Sequence, residues 1–499
     1  MAHQTVETQT PLIRSLSNPG VYDHHVESIR VIETHISWVL LTGDFVYKIK
    51  KPVRLPFVDF STLEQRREFC EEELRLNRRL APELYVDIVT IGGSVEEPTL
   101  GKQPAIEYAV RLRQFPDGAR LDEHLVTSGI PPEDIVALAE SIAEFHAALK
   151  AVPEYGSAEA IIDVVATNLD ETRQALDSPA HARDLDTLGQ WLADTCGELK
   201  MTLADRHTSG AIRECHGDLH LENLAYWHDR IVAFDALEFD PALRCIDVLD
   251  EAAFLVMDLL AHSEPGLAYE FLNRYLEVSG DYLGLPVFRL YLVHRALVRA
   301  KVAEIKLRQR LGGSDGIPEV ADRYFRCALD AIRERAPRLL ITHGLSGSGK
   351  TTVTSSLISR LPAIRCRSDL ERKRLHGLAP DAHSGSAVGR GLYDSSSSEA
   401  TYARLRGCAA SALRAGLDVI VDAAFLRRSD RDAFGQLARD AGAAFALLDC
   451  QAPEIELRRR IEARQASNAD ASEATPAVLE SQLETREPLS PEELERTVS

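Results

Sequence analysis

The stretch Gly344-Leu345-Ser346-Gly347-Ser348-Gly349-Lys350-Thr351 constrains the fold more tightly than any other part of the chain. It is a complete G-x-x-x-x-G-K-[ST], it follows the apolar run Leu339–Thr342, and it opens an apolar helix. Strand, glycine turn and helix in that order make the P-loop unit of a parallel α/β sheet. The glycines let successive backbone N–H groups turn inward on a phosphate, and the helix N-terminus adds positive potential. Gly344, Gly347, Ser348, Gly349 and Thr352 belong to this cradle, Lys350 reaches the β- and γ-phosphates, and the Thr351 hydroxyl is placed to hold Mg2+. A glycine-rich turn without a ligand is the competing account, and the strand-loop-helix setting disfavours it.

Beyond Pro337 strands and helices alternate, with strands expected at Arg365–Ser368, Asp418–Asp422 and Ala444–Asp449, as in a parallel sheet. About 160 residues remain there, too few for an AAA-type module with a separate helical lid but enough for a small-substrate kinase. Asp369 is expected to end the second strand, where the carboxyl end of an α/β strand faces the ligand crevice. Two roles fit it, a base for an acceptor hydroxyl or a helix N-cap. Asp422, closing Val419-Ile420-Val421-Asp422, suits a carboxylate that binds Mg2+ through water. Arg460 and Arg464 fall four apart on one helix face, where they either close over a transferred phosphate or pair with Glu454, Glu456 and Glu462 as a solvated face.

A second constellation lies upstream. His216-Gly217-Asp218-Leu219-His220-Leu221-Glu222-Asn223 is followed, twelve residues after Asn223, by Asp235 at the end of Ile231-Val232-Ala233-Phe234. Phosphoryl transfer to a hydroxyl needs a carboxylate at the acceptor, with an amide oxygen and a second carboxylate on Mg2+. The interval from Asp218 to Asn223 equals that of the kinase H-R-D-L-x-x-x-N loop. Asp218 is therefore the expected base, and Asn223 and Asp235 the expected metal ligands.

Around it the pattern is mixed. Residues 30–60 read as a β-hairpin about Thr42-Gly43-Asp44, Glu64–Leu80 as a helix, and Tyr85–Ile91 and Ile106–Arg113 as strands. Residues 131–200 are helical in pattern, short strands return at Gly210–Cys215 and Ile231–Asp235, and helices resume beyond Ala252 to about Arg310. Leu311–Pro318 reads as a loop and Val320–Arg335 as a helix, which puts a boundary near residue 336.

Composition narrows the classes. With 45% hydrophobic and 27% charged residues, 499 positions fit two to four globular domains and exclude a disordered chain or an integral membrane protein. The polar opening Met1–Thr10 lacks the features of a secretory signal. Eight cysteines without C-x-x-C spacing argue against a zinc site or a disulfide framework, and read as buried thiols in a reducing cytoplasm. Fifty-seven basic against 77 acidic residues give a net charge of −20, which repels nucleic acid and anionic membranes.

From about Ser28 to Arg310, the H-G-D-L-H-L-E-N segment with Asp235 resembles the aminoglycoside-phosphotransferase and choline-kinase family of protein-kinase-like enzymes. The resemblance implies that Lys48 grips the α- and β-phosphates, with Lys50 pointing the same way on the strand, and that Glu73 pairs with it, Glu71 and Glu72 being adjacent. It also implies an adenine-contacting hinge at Gln114-Phe115-Pro116, a packing role for His146, and loop-bracing roles for His216 and Asp247. The Thr42-Gly43-Asp44 turn is a poor glycine-rich loop, and Ala236-Leu237 after Asp235 removes a DFG-type switch. The back half resembles the zeta-toxin, chloramphenicol-phosphotransferase and gluconate-kinase group of P-loop kinases, through the P-loop, Asp369 and the arginine segment.

The expected fold is thus an α+β protein-kinase-like bilobal domain followed by an α/β parallel-sheet P-loop NTPase domain. The kinase-like domain spans 1–310, with a small lobe at about 28–115 and a large lobe at about 116–310; 311–337 form a linker and helix, and 338–499 the P-loop domain. The whole chain is similar to bacterial fusions of these two domain types. The expected function is an ATP-dependent, Mg2+-assisted phosphotransferase with two nucleotide sites and small-molecule hydroxyl acceptors, cytoplasmic, without nucleic-acid or membrane partners. The alternative is one phosphotransferase domain regulated by a nucleotide-sensing P-loop ATPase domain. No stretch marks an antibiotic-binding patch. The sequence names no protein partner.

Overall fold

The computed structural model describes residues 6–55, 58–176, 181–311, 319–358, 360–379, 395–467 and 475–498. The chain divides into two units, the first formed by 1–134, 148–156 and 210–251, the second by 135–147, 157–209 and 252–499.

The first unit opens with helix α1 (Val6–Leu16), which the polar start of the sequence conceals. Leu12, Ile13 and Leu16 fall on one helix face and pack with Trp38, Leu40, Tyr47 and Ile49. Those partners belong to strands β2 (Ser37–Leu41) and β3 (Phe45–Lys50), which follow β1 (Arg30–Glu33). The turn Thr42-Gly43-Asp44 joins β2 to β3 with Gly43 at φ +100°, so the expected hairpin forms where a glycine tolerates that backbone. A short hairpin, β4 (Arg54–Leu55) and β5 (Val58–Asp59), leads to helix α2 (Leu63–Asn77). Thr62 and Gln65 build a reciprocal cap at its start, satisfying two otherwise unpaired N–H groups. Strands β6 (Tyr85–Gly93), β7 (Pro98–Leu100) and β8 (Glu107–Arg113) complete an antiparallel sheet in the order β1-β2-β3-β8-β6-β7. Helix α3 (Leu121–Thr127) follows. Later in the chain, β9 (Ile212–Glu214) pairs with β12 (Cys245–Asp247), while β10 (Leu224–Trp227) and β11 (Arg230–Ala233) form a hairpin, with the short helix α7 (Pro241–Arg244) between β11 and β12.

The second unit begins with most of helices α4 (Pro132–Ala148) and α8 (Val248–Ala261) and with α5 (Ala158–Ala175), α6 (Ala182–Thr208), α9 (Pro265–Ser279), α10 (Leu285–Leu311) and α11 (Glu319–Ile332). The Tyr324 hydroxyl on α11 donates to Asp258 Oδ1 on α8 at 2.6 Å. The expected loop at Leu311–Pro318 lies outside the described residues apart from Leu311, which ends α10.

The same unit contains a fully parallel sheet of β13 (Arg338–His343), β14 (Ala363–Arg367), β15 (Asp418–Asp422), β16 (Ala444–Asp449) and β17 (Thr497–Val498), ordered β14-β15-β13-β16-β17. Its helices are α12 (Lys350–Ile358), α13 (Ser368–Leu375), α14 (Ser395–Arg414), α15 (Arg428–Asp440), α16 (Glu454–Ser467), α17 (Pro476–Thr485) and α18 (Pro491–Glu495). The expected strand Arg365–Ser368 stops one residue early, because its ladder ends where Arg367 meets the last residue of β15, Asp422. Asp369 therefore lies in the first turn of α13 rather than at a strand end, and Arg367 occupies the N-cap position that the sequence offered to Asp369. Edge strand β14 is covered by Asn273 of α9, whose amide donates to the Ala363 carbonyl at 2.9 Å and accepts from the Arg365 N–H at 2.6 Å. That side chain replaces a missing strand neighbour. All eight cysteines are buried and unbridged.

Candidate active site

In the first unit, the hairpin β10–β11 aligns Leu224 with Ala233, and the Phe234 N–H continues the ladder onto the Asn223 carbonyl at 3.0 Å. Asn223 and Asp235 thus emerge at the same end of one hairpin. The Asn223 amide donates to Asp218 Oδ2 at 2.8 Å and to the Asp218 carbonyl at 3.0 Å. His220 Nε2 lies 3.3 Å from the same carboxylate oxygen. Gly217, at φ +88°, makes the turn that allows this, and a Cβ there would sit 3.0 Å from the Leu243 carbonyl oxygen. His216 braces the loop from inside, its Nε2 3.0 Å from the Phe234 carbonyl oxygen and its Nδ1 accepting from the Asp218 N–H at 3.3 Å. Burial lowers the His216 pKa, favouring a neutral ring that can donate at one nitrogen and accept at the other.

Asp235 has φ +64°, a left-handed backbone uncommon outside glycine, and its N–H is taken by the Tyr85 hydroxyl at 3.0 Å. The Asp235 carboxylate pairs with Lys48 Nζ, which also lies 2.9 Å from Glu73 Oε1. Lys50, two residues along the same strand face, lies 2.8 Å from Glu73 Oε2 and pairs with Glu238. Both lysines therefore meet Glu73, but only Lys48 reaches Asp235. Of the three adjacent glutamates, Glu71 pairs with Arg67, and Glu72 with Arg75 and Arg244; Glu73 alone points inward and is fully buried. Burial works against its charge, yet the two ammoniums prevail and hold its pKa below the ordinary glutamate value. Burial likewise opposes the Lys48 charge, and Asp235 with Glu73 outweighs it, holding Lys48 well above the ordinary lysine value. Glu238 is shifted upward by burial, with Lys50 opposing.

The turn at Thr42–Asp44 is tied to the expected hinge: the Gly43 N–H donates to Gln114 Oε1 and the Gln114 N–H to the Asp44 carbonyl, each at 3.0 Å. Gln114 thus engages both groups. Phe115 stacks obliquely on Phe234, with centroids 5.2 Å apart, linking the hinge segment to the residue before Asp235. Asp247 accepts from the Leu249 N–H at 2.9 Å at the start of α8. In the second unit, His146 Nδ1 lies 2.9 Å from the Tyr275 hydroxyl in a buried packing position.

The P-loop forms a cavity of about 910 Å3 in the second unit. Gly344, Gly347 and Gly349 have φ of +149°, +83° and +93°. A Cβ at Gly344 would lie 2.3 Å from the Cys450 carbonyl oxygen, and one at Gly347 2.9 Å from that of Leu457. The loop is thus drawn as tightly as glycine allows. Ser348 Oγ is buried without a hydrogen-bond partner, an orphaned polar group in a cradle shaped for an anion. Lys350 Nζ donates to the carbonyls of Gly344 at 2.9 Å and Leu345 at 2.8 Å. Thr351 and Thr352 line the cavity, as do Asp369 and the buried Asp422, whose Oδ2 accepts from Thr354 at 3.2 Å. Arg460 pairs with Glu456 at 2.6 Å and donates to the Gly347 carbonyl at 3.2 Å. Arg464 is in α16, and its side chain lies outside the described residues.

Sequence reasoning missed Arg372, Tyr402, Arg427 and Asp430, which line the same cavity. Arg372 is 3.4 Å from Asp369, and the Tyr402 hydroxyl accepts from the N–H of Phe425, a residue at φ +48°. Burial raises the Tyr402 pKa to about 12 and raises that of Asp430. The signal for Arg427 and Asp430 was their place just beyond β15, since loops at the carboxyl ends of parallel strands face the crevice.

Residues 339–489 match the family described as AAA domain. The uncharacterized protein Rv2004c of Mycobacterium tuberculosis is 30% identical over 476 residues, covering 93% of each chain. The chain belongs to that protein's family. The uncharacterized protein Mb2027c of Mycobacterium bovis matches to the same extent. Among solved structures, the GDP complex of aminoglycoside 2'-phosphotransferase-IIIa is 16% identical, with a TM-score of 0.39, over 66% of this chain and 98% of that one. A gluconokinase from Sinorhizobium meliloti is 23% identical, with a TM-score of 0.24, over 33% of this chain and 82% of that one. The family member described here has the expected order of an α+β part with an antiparallel sheet and then a P-loop α/β part with a parallel sheet. Among the described residues no helix is long and apolar enough to cross a membrane.

Proposed function

We propose that the chain is a cytoplasmic, ATP-dependent, Mg2+-assisted phosphotransferase with two nucleotide sites, one in residues 1–310 and one in 338–499, acting on hydroxyl groups of small molecules. The observation that carries this reading is Asp218 held at 2.8 Å by Asn223, at the hairpin end that also bears Asp235 and, through it, Lys48. Asp218 takes the proton of the acceptor hydroxyl as its oxygen bonds to the γ-phosphorus and the bond to the departing ADP oxygen breaks. Lys48, held by Glu73, orients the nucleotide phosphates. In the second site the P-loop amides, Lys350 and Arg460 receive the phosphates, and Asp369 faces the acceptor. Mg2+, when bound, supplies charge neutralisation on the triphosphate; Asn223 and Asp235 would hold it in the first site, Thr351 and Asp422 in the second.

One observation favours the regulatory alternative. Arg365 reaches Ser355 of the P-loop helix at 2.7 Å and Glu277 of α9 at 2.7 Å, so α12 is tied to the helical region. Both readings are tested on the full chain by screening a metabolite extract for ATP-dependent phosphorylation, with Asp218→Asn and Lys350→Ala as paired controls. Two sets of phosphorylated products, each abolished by one variant, support two enzymes. A single set lost in Asp218→Asn, with Lys350-dependent ATP loss only to water, supports the switch. Phosphorylation unaffected by either variant refutes both.

A further inference from the structure

The ion pairs at Lys48 continue inward as a row of alternating charges. From the surface the order is Asp235, Lys48, Glu73, Lys50, Glu238, each ammonium lying between two carboxylates and Glu73 between two ammoniums. The Asp235 side chain is 44% exposed, whereas Lys50 and Glu73 are fully buried and Glu238 nearly so. Lys50 also lies over the Phe60 ring, 5.0 Å from its centroid. Three carboxylates face two ammoniums, so the row carries one excess negative charge, and its only well-exposed carboxylate is Asp235.

The phosphoryl transfer proposed for the first site uses Asp235, Lys48 and Glu73 but leaves Lys50 and Glu238 without a part. Burying such a pair is expensive, and an apolar pair of similar size commonly serves stability as well or better. The position of the pair points to a role in tuning its neighbours. Glu73 has two oxygens, one for each lysine, so whatever Lys50 does to Glu73 is felt by Lys48.

We propose that Lys50 and Glu238 are a positioning pair, which holds Glu73 between two lysines and thereby sets how much of the Lys48 charge is offered to a nucleotide phosphate. This rests on the reading that Lys48 grips the nucleotide. Removing the Lys50 charge alone leaves two buried carboxylates, Glu73 and the unpaired Glu238, facing Lys48 as their one remaining cation in the row, and draws it inward, away from phosphate. Removing the Glu238 charge has the opposite effect, because Lys50 then leans wholly on Glu73 and loosens its hold on Lys48. Removing both restores a shorter alternating row, Asp235, Lys48, Glu73, with the original excess of one negative charge.

The test is equilibrium binding of a fluorescent ATP analogue, with and without Mg2+, to the full chain carrying Lys350→Ala to silence the P-loop site. In that background Lys50→Met should weaken binding about tenfold, Glu238→Gln should leave it unchanged or tighten it up to about threefold, and the double variant should return close to the parent. Thermal unfolding of each variant is recorded alongside. A purely structural pair lowers the melting temperature in both single variants and shifts affinity in the same direction, or in neither, and that result overturns the proposal. Should Lys50→Met fail to fold, Glu238→Gln against the double variant still reads the sign: equal weakening in both refutes it. If the Lys350→Ala parent binds no nucleotide at all, the first-site reading falls and the inference with it. Same-sign shifts in a parent that does bind remove the inference alone.

Discussion

Asn223 holds Asp218 through two hydrogen bonds, at 2.8 Å to the carboxylate and 3.0 Å to the main-chain oxygen. The carboxylate therefore has a fixed direction before any acceptor arrives. Asp218→Asn keeps the shape and removes the basicity. It should cut phosphoryl transfer at the first site by roughly 10^2- to 10^4-fold while leaving nucleotide affinity within about twofold, as read by turnover and ATP-analogue binding on the same preparation. An Asp218→Asn chain that retains parental transfer would remove the base from this position.

At the other site, a Cβ at Gly344 would lie 2.3 Å from a backbone carbonyl that cannot swing aside. Gly344→Ala should cost about 1–3 kcal/mol of stability and abolish P-loop nucleotide binding. Lys350→Ala should impair binding with little loss of stability. Chemical denaturation paired with binding separates the two outcomes, and unchanged binding in Gly344→Ala would mean the loop is not the phosphate cradle.

Asp422 ends β15 with its carboxylate held by Thr354 at 3.2 Å. Asp422→Asn should raise the Mg2+ concentration needed for half-maximal ATP binding at the P-loop site by about 10- to 100-fold. Magnesium titration in a Lys48→Met background, which removes the phosphate contact of the first site, isolates this site, and an unmoved midpoint rules Asp422 out as a metal residue.

Buried Glu277 pairs with Arg365 at 2.7 Å. Burial works against its charge, but Arg365 and Arg367 overcome it and hold its pKa below the ordinary glutamate value. A carboxylate depressed in the folded state contributes stability that is complete above its unfolded pKa and is lost as pH falls through the folded one. Acidification below about pH 4.5 should therefore destabilise the parent more steeply than Glu277→Gln. Urea midpoints across that range give the two slopes, and parallel slopes would show that Glu277 is not ionised in the fold.

Much of the P-loop was legible because its chemistry is local. Eight consecutive residues set their own backbone, and the positive φ values at Gly344, Gly347 and Gly349 are those glycine alone adopts at little cost. The Asp218 to Asn223 interval was legible for the same reason: a short loop closes on itself. Helix α1 was not, since its polar opening hides an apolar face recognisable only against the sheet it covers. Nor was the end of β14, where the missing ladder partner beyond Asp422, rather than any residue of its own, stops the strand.

The sequence by itself determined the two motifs, the alternation that makes a parallel sheet, and the residue types available at each site. Only the tertiary structure chose among neighbours of equal chemistry. It selected Glu73 over Glu71 and Glu72 because one helix face turns into the core, and it placed Lys48 beside Asp235 while sending Lys50 inward to Glu238. It also brought Arg372 from α13, and Arg427 and Asp430 from the start of α15, to the P-loop cavity. Backbone geometry is written in adjacent residues, but charge pairing depends on which distant side chains share a volume without water, and that is settled only when the chain has packed.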